Sequence, residues 1–166
     1  MSEQSKLIIE PLGKTHNRAV FSCGANELDT YFRRQASQDA NRRIARIFVC
    51  RSKNDGQAVL GYYTLSALSI ELSALPSGLA KKLPKHPIPA ALIGRLAVSS
   101  KCQGSGIGKI LLADAIKRIL AVGDEIAVYA LVVDALNADA EAFYLSFGFA
   151  RMNSESNRLF LPLKSI

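Results

Sequence analysis

A chain of 166 residues, 49% of them hydrophobic and 21% charged, has the length of one domain able to bury its own core, which excludes disorder over its whole length. Its 21 Lys and Arg against 14 Asp and Glu leave a net charge of +7, a balance that favours association with polyanions without naming one. No run approaches the ~18 apolar residues that span a bilayer, and the polar start Met1–Lys6 lacks the apolar core of a signal peptide, so a cytoplasmic chain with no membrane contact is expected.

In chain order, Lys6–Glu10 reads as a first strand stopped by Pro11-Leu12-Gly13. Asn26 is placed to cap a helix over Glu27–Arg34, and a second helix over Gln35–Arg43 carries an arginine-bearing face. Ile44–Arg51 and Ala58–Ile70 are strands joined by the turn Asn54-Asp55-Gly56, which makes a hairpin. Between Leu72 and Pro89, three prolines (Pro76, Pro84 and Pro87), Gly78 and three lysines allow no more than a short helix in a substrate-facing connection. Ala90–Val98 is an apolar strand, followed by a glycine-rich turn and a helix over Gly106–Ala121. Ile126–Val133 is a buried strand, Ala138–Phe147 a helix that Gly148 terminates, and Asn157–Leu163 a last strand. The reading is a single domain over residues 1–166.

Cys23, Cys50 and Cys102 have neither CxxC nor zinc-ligand spacing, so free thiols and no metal are expected. His16 and His86 stand alone in sequence and read as surface or loop residues.

Strand, glycine loop and helix together make an anion site, because backbone N–H groups and the helix N-terminus both attract negative charge. Spacing limits the candidate anions. Aligned on Gly108-Lys109, a Walker A loop would need glycine at Gln103 and Ser or Thr at Ile110. Gly104, Gly106 and Gly108 give GxGxG, where a dinucleotide fingerprint needs GxGxxG after a first strand.

Gly94-Arg95-Leu96-Ala97-Val98 followed by Gln103-Gly104-Ser105-Gly106-Ile107-Gly108 resembles the acetyl-CoA motif of the GNAT superfamily, Q/R-x-x-G-x-G/A. Asn137–Phe149, with Phe143-Tyr144 and Gly148-Phe149, resembles the second GNAT signature. The resemblance implies a mixed α/β GNAT fold, with a central, mostly antiparallel twisted sheet of six to seven strands flanked by about four helices. It implies that acetyl-CoA lies against Leu96, Ala97, Val98, Gln103, Gly104, Ser105, Gly106, Ile107, Gly108, Lys109, Asn137 and Phe143, and that Tyr144 is the catalytic tyrosine. Phe143, Phe147 and Phe149 are also expected in the core, since aromatic rings at a helix–strand junction bury large areas.

Tyrosine with a reference pKa of about 10 starts protonated at neutral pH, so Tyr144 can donate a proton to a departing thiolate of pKa about 8.5. A neutral amine must attack, yet Ile88–Ser100 holds no Asp, Glu or His to act as base. An α-amine with a pKa near 7.7–8.0 is appreciably neutral without help, whereas a lysine amine at about 10.4 is not. The residues therefore lean towards an α-amine acceptor, and a base from elsewhere, such as Glu71, would undo that inference.

Beyond these motifs, the chain resembles the GNAT toxins of bacterial toxin–antitoxin modules. Phe21-Ser22-Cys23-Gly24, Glu27-Leu28-Asp29, Tyr31–Ala36, Gln38-Asp39, Arg46–Val49, Gly61–Leu65 and Pro87-Ile88-Pro89 carry the likeness. It implies acetylation of the α-amine on aminoacyl-tRNA with inhibition of translation. It also implies a ribbon–helix–helix antitoxin partner, DNA contact through that antitoxin only, and a homodimer. Arg33, Arg34, Arg42, Arg43, Lys81, Lys82, Lys85 and Arg95 are the candidate tRNA contacts, Arg95 foremost because a charge inside an apolar strand calls for a partner. The alternatives are a GNAT enzyme acting on a small-molecule or protein amine and a non-catalytic nucleic-acid-binding regulator.

Overall fold

A computed structural model describes residues 6–153 and 156–165; the start Met1–Ser5, Ser154, Glu155 and Ile166 lie outside the described residues. The strands are β1 (Leu7–Pro11), β2 (Arg46–Ser52), β3 (Val59–Ile70), β4 (Ile88–Val98), β5 (Ala130–Asp134), β6 (Ala150–Arg151) and β7 (Arg158–Pro162). The helices are α1 (Asn26–Arg34), α2 (Ala36–Asn41), α3 (Ser77–Ala80), α4 (Ile107–Val122) and α5 (Ala138–Ser146). One sheet of seven strands runs in the order β1-β2-β3-β4-β5-β7-β6, so the fold is mixed α/β with a sheet of the expected size. The chain packs as two compact units, the first reaching Ser66 and including Arg95–Lys117, the second made of Ala67–Gly94 and the residues from Arg118 on.

In the first unit β2 pairs antiparallel with β1 and with β3, confirming the hairpin, and a bulge interrupts the β2–β3 register between Cys50 and Arg51. Its core gathers around three rings: Phe32 stacks on Tyr62 at 4.4 Å, and Phe21 meets both edge-on. Aromatic pairs in these geometries add about 0.5–1.5 kcal/mol to the area they bury. Helix α1 supplies Phe32 and Tyr31 from its apolar face, while Arg33 and Arg34 stay on the wet one.

In the second unit β5 pairs parallel with β4 and antiparallel with β7, which also pairs with β6. Ile70, Ile88, Ala130, Val132, Met152 and Phe160 close its core.

Several boundaries differ from the sequence reading. Asn26 does not cap α1: Ala25 has the extended backbone of the cap position, its carbonyl accepts from Asp29 N–H, and Asn26 is already helical. Helix α2 is six residues long instead of nine, and Arg43, at φ 60°, takes the left-handed backbone that leads the chain away. Ile126 is not in β5, because its N–H is spent on Val122 in the turn that ends α4. The two-residue β6 was too short to leave a sequence signal.

His16 is not a surface residue. It is 7% exposed, its Nδ1 accepts from Gly13 N–H, and its Nε2 lies 3.0 Å from Glu10. That pattern puts the proton on Nε2, donating to the carboxylate.

Candidate active site

The ladder between β4 and β5 ends at the pair Ile93–Val133, and β4 continues through Gly94 to Val98. Over that extension Leu96 and Val98 are half-buried and Ala97 is buried, so alternate residues face the core of the first unit. Gly61 of β3 lies against this stretch: a Cβ there would stand 2.8 Å from Ala97 O and 2.9 Å from Leu111 Cδ1. Sequence reasoning missed Gly61, although glycine inside a strand is itself a signal of close approach.

After β4 the chain makes a short 3-10 turn over Ser100–Cys102 and enters the glycine loop. Gly104 has φ +83° and Gly106 φ +90°, and a Cβ on either would meet nothing within 4 Å. These glycines therefore serve backbone conformation and an open surface, not internal packing. Helix α4 starts at Ile107, so the N–H groups of Ile107, Gly108 and Lys109 have no carbonyl one turn earlier within the helix, and this is the anion-attracting end. The Ile107 side chain is buried and leaves its backbone as the useful part. The Ser105 hydroxyl donates to Cys102 O. The side-chain amide of Gln103 turns into the protein, donating to Cys23 O at 2.7 Å and Val98 O at 3.2 Å.

In the second unit Asn137 is the N-cap of α5, its side chain accepting from Ala140 N–H at 2.9 Å. Two turns along, Tyr144 is 5% exposed and meets the rings of Phe143 and Phe149 edge-on at 5.3 and 5.6 Å. Burial, and secondarily the negative charge of Asp134, push the Tyr144 phenol well above its ordinary value of 10.0. Asp134 is held by both nitrogens of Arg158's fork, at 2.7 and 3.2 Å. Phe149 is core and Phe143 is half-buried. Phe147, at 37% exposed, is not core: it leans edge-on against Phe143 and leaves its other face to solvent. Glu71 is exposed and lines a recess of about 300 Å³ with Ile70, Met152 and Arg158.

Among the basic candidates, Arg33, Arg34, Arg42 and Arg43 are exposed in the first unit, and Lys81, Lys82 and Lys85 are exposed in the second. Arg33 also donates to Phe21 O. Arg95 is half-buried, and its charge has a partner within the protein, the face of Tyr31. Cys23 and Cys50 are buried free thiols that burial pushes up to about 11, which leaves them poor nucleophiles.

The family model for the acetyltransferase (GNAT) family matches residues 15–149. A probable toxin TacT of Sinorhizobium fredii is 33% identical over 98% of this chain and 94% of its own length. A tRNA-acetylating toxin of Mycobacterium tuberculosis is 38% identical over 87% of this chain and 84% of its own. Among solved structures, AtaT complexed with acetyl-methionyl-tRNAfMet has a TM-score of 0.87 at 32% identity, covering 96% of each chain. A tyrosine-to-phenylalanine AtaT mutant bound to the C-terminus of the antitoxin AtaR and acetyl-CoA has a TM-score of 0.82 at 29% identity, covering 96% of this chain and 95% of that one. With its glycine loop, its α5 tyrosine and a family match that spans both, this chain belongs to the GNAT acetyltransferase family.

Proposed function

We propose that this chain is the toxin of a toxin–antitoxin module, which transfers acetyl from acetyl-CoA to the α-amine of aminoacyl-tRNA and so blocks translation. The observation that carries this reading is the 38% identity to a tRNA-acetylating toxin over 87% of the chain, a likeness too long to reflect cofactor motifs alone. The likeness to AtaT in complex with acetyl-methionyl-tRNAfMet supports the same acceptor.

In the proposed reaction the backbone of Leu96 and Val98 pairs with the pantetheine arm. The N–H groups from Gly104 to Lys109 hold the pyrophosphate, which the positive-φ glycines and the start of α4 favour. Ala97, Asn137 and Phe143 are the further residues that this reading sets against acetyl-CoA; Ala97 is itself buried, Asn137 caps α5 and Phe143 packs on Tyr144. The neutral α-amine attacks the thioester carbonyl carbon, the C–N bond forms and the C–S bond breaks. The departing thiolate takes the Tyr144 proton, and the amine's surplus proton passes to solvent, from which the Tyr144 phenolate is reprotonated. A phenol raised by burial stays protonated at neutral pH, so Tyr144 has a proton to give and cannot serve as a resting base, which fits an acceptor that needs no strong base.

The exposed Arg33, Arg34, Arg42, Arg43, Lys81, Lys82 and Lys85, with Arg95, would meet tRNA phosphates. The same reading makes residues 1–166 one domain and places the protein in the cytoplasm as a homodimer. A ribbon–helix–helix antitoxin would then be its only route to DNA. Among the described residues no helix is long and apolar enough to cross a membrane, and no group of His, Cys, Asp and Glu stands ready to hold a metal.

The test is mass spectrometry of a panel of charged tRNAs, free amino acids and peptides after exposure to the protein and acetyl-CoA. Acetyl groups on aminoacyl-tRNA are expected. Acetylation confined to free amino acids or peptides would overturn the toxin reading.

A further inference from the structure

The segment Phe21–Gly24 makes no regular structure, yet it is held from two sides within the first unit. From α1, Asp29 accepts from Cys23 N–H at 2.9 Å and from the Ser22 hydroxyl at 3.4 Å, and Arg33 donates to Phe21 O. Asp29 is only 6% exposed, so this carboxylate is committed to the segment instead of to solvent. From the glycine-loop side, Ser100 N–H donates to Ser22 O at 2.8 Å, and the Gln103 amide donates to Cys23 O at 2.7 Å. Gly24, at φ +92°, releases the chain towards α1.

Both acceptors around the Gln103 amide are backbone carbonyls, Cys23 O and Val98 O, so its nitrogen must face them and its oxygen must face away. A single side chain thus ties three things: the end of β4, the loop that opens α4, and the strap that leads into α1. We propose that Gln103 is a positioning residue that fixes the acetyl-CoA loop by locking it to the Phe21–Gly24 strap, so that occupation of the loop and order at the start of α1 are linked. The proposal rests on the acetyl-CoA reading given above and revises the role of Gln103 within it, from cofactor ligand to clamp.

The chemistry of substitution separates these roles. Gln103→Glu keeps the shape but replaces the donor with an oxygen facing two carbonyl oxygens, so the clamp opens. Gln103→Arg keeps N–H donors and restores it. Gln103 is exposed, so neither change disturbs the core.

The experiment measures acetyl-CoA binding by calorimetry and amide exchange over residues 21–25, with and without acetyl-CoA. In the wild type, acetyl-CoA is expected to slow exchange across the strap. In Gln103→Glu the dissociation constant is expected to rise about tenfold, equivalent to 1.4 kcal/mol, and the slowing of strap exchange to disappear. Gln103→Arg is expected to regain most of both. Unchanged affinity and unchanged strap protection in Gln103→Glu would overturn the clamp while leaving the acetyltransferase reading intact. Failure of the wild type to bind acetyl-CoA would overturn that reading and the clamp with it.

Discussion

The guanidinium of Arg95 lies 3.5 Å above the ring centroid of Tyr31, and the Tyr31 hydroxyl donates to Asp39 at 2.7 Å. Cation, ring and carboxylate form one stack that ties β4 to α1 and α2. Gln35 donates to the other Asp39 oxygen at 3.0 Å, and its bond, then that of Tyr31, hold the Asp39 carboxyl below its ordinary range. A charge in an apolar strand thus has an internal explanation.

If that stack is what retains Arg95, Arg95→Ala should lose about 1–2 kcal/mol of stability in urea unfolding, since a partly desolvated cation–π contact and a packed stem both go. Tyr31→Phe should lose about 1 kcal/mol, because Asp39 forfeits a buried donor. The two losses should not add, the groups being in contact. An unchanged urea midpoint in Arg95→Ala would show that the stack is not what retains this arginine.

For Tyr144, removal of the hydroxyl leaves the ring contacts with Phe143 and Phe149 in place. Tyr144→Phe should therefore lower kcat by about 10²–10⁴ with acetyl-CoA affinity nearly unchanged, the range expected when one general acid is lost. Because burial raises the phenol above its ordinary 10.0, the wild-type rate should show no alkaline limb from this group below that pH. A variant with wild-type kcat would remove Tyr144 from the chemistry.

Legibility followed the kind of signal each residue carried. The hairpin, α4, α5 and the glycine loop could be read because periodicity and turn chemistry are local. Asn26 and Ile126 misled because caps and strand ends are settled by which carbonyl a neighbouring N–H reaches, and Ala25 and Val122 won those contests. His16 looked exposed because its partners, Glu10 and Gly13, are joined to it only by the fold. Gln103 was assigned to the cofactor by its motif position, yet one of its bonds goes to Cys23, 80 residues earlier. No spacing rule reaches that far.

Glu10 offers a pH test of the first unit. The Arg51 side chain, and after it His16, hold the Glu10 carboxyl below its ordinary 4.5 against the opposing effect of burial. A folded-state value below the unfolded one stabilises the fold above the unfolded pKa, and this contribution fades as pH falls through the folded value. Glu10→Gln should thus be less stable than wild type by up to about 1 kcal/mol at pH 7, the pair being partly exposed. The gap should narrow once pH drops below 4.5. Thermal melts across that range decide it, and a gap that widens in acid would contradict the pairing.

Glycines at two places should fail for opposite reasons. Gly61→Ala sets a methyl group 2.8 Å from Ala97 O and 2.9 Å from Leu111 Cδ1, so α4 or β4 must move. Overpacking of this kind costs about 1–3 kcal/mol. Gly106→Ala meets no atom within 4 Å but holds an L-residue at φ +90°, where strain costs about 1–2 kcal/mol unless the loop turns away. The open loop has that freedom and the packed strand does not. Gly106→Ala should therefore keep most of its thermal stability while binding acetyl-CoA about tenfold more weakly, because its N–H groups no longer converge. Gly61→Ala should lose stability first, with cofactor affinity following only as far as Ala97 is displaced. Melting temperature and acetyl-CoA affinity, measured on both variants, separate the two; a Gly106→Ala chain that melts early yet binds normally would show that the loop glycines serve the fold and not the cofactor.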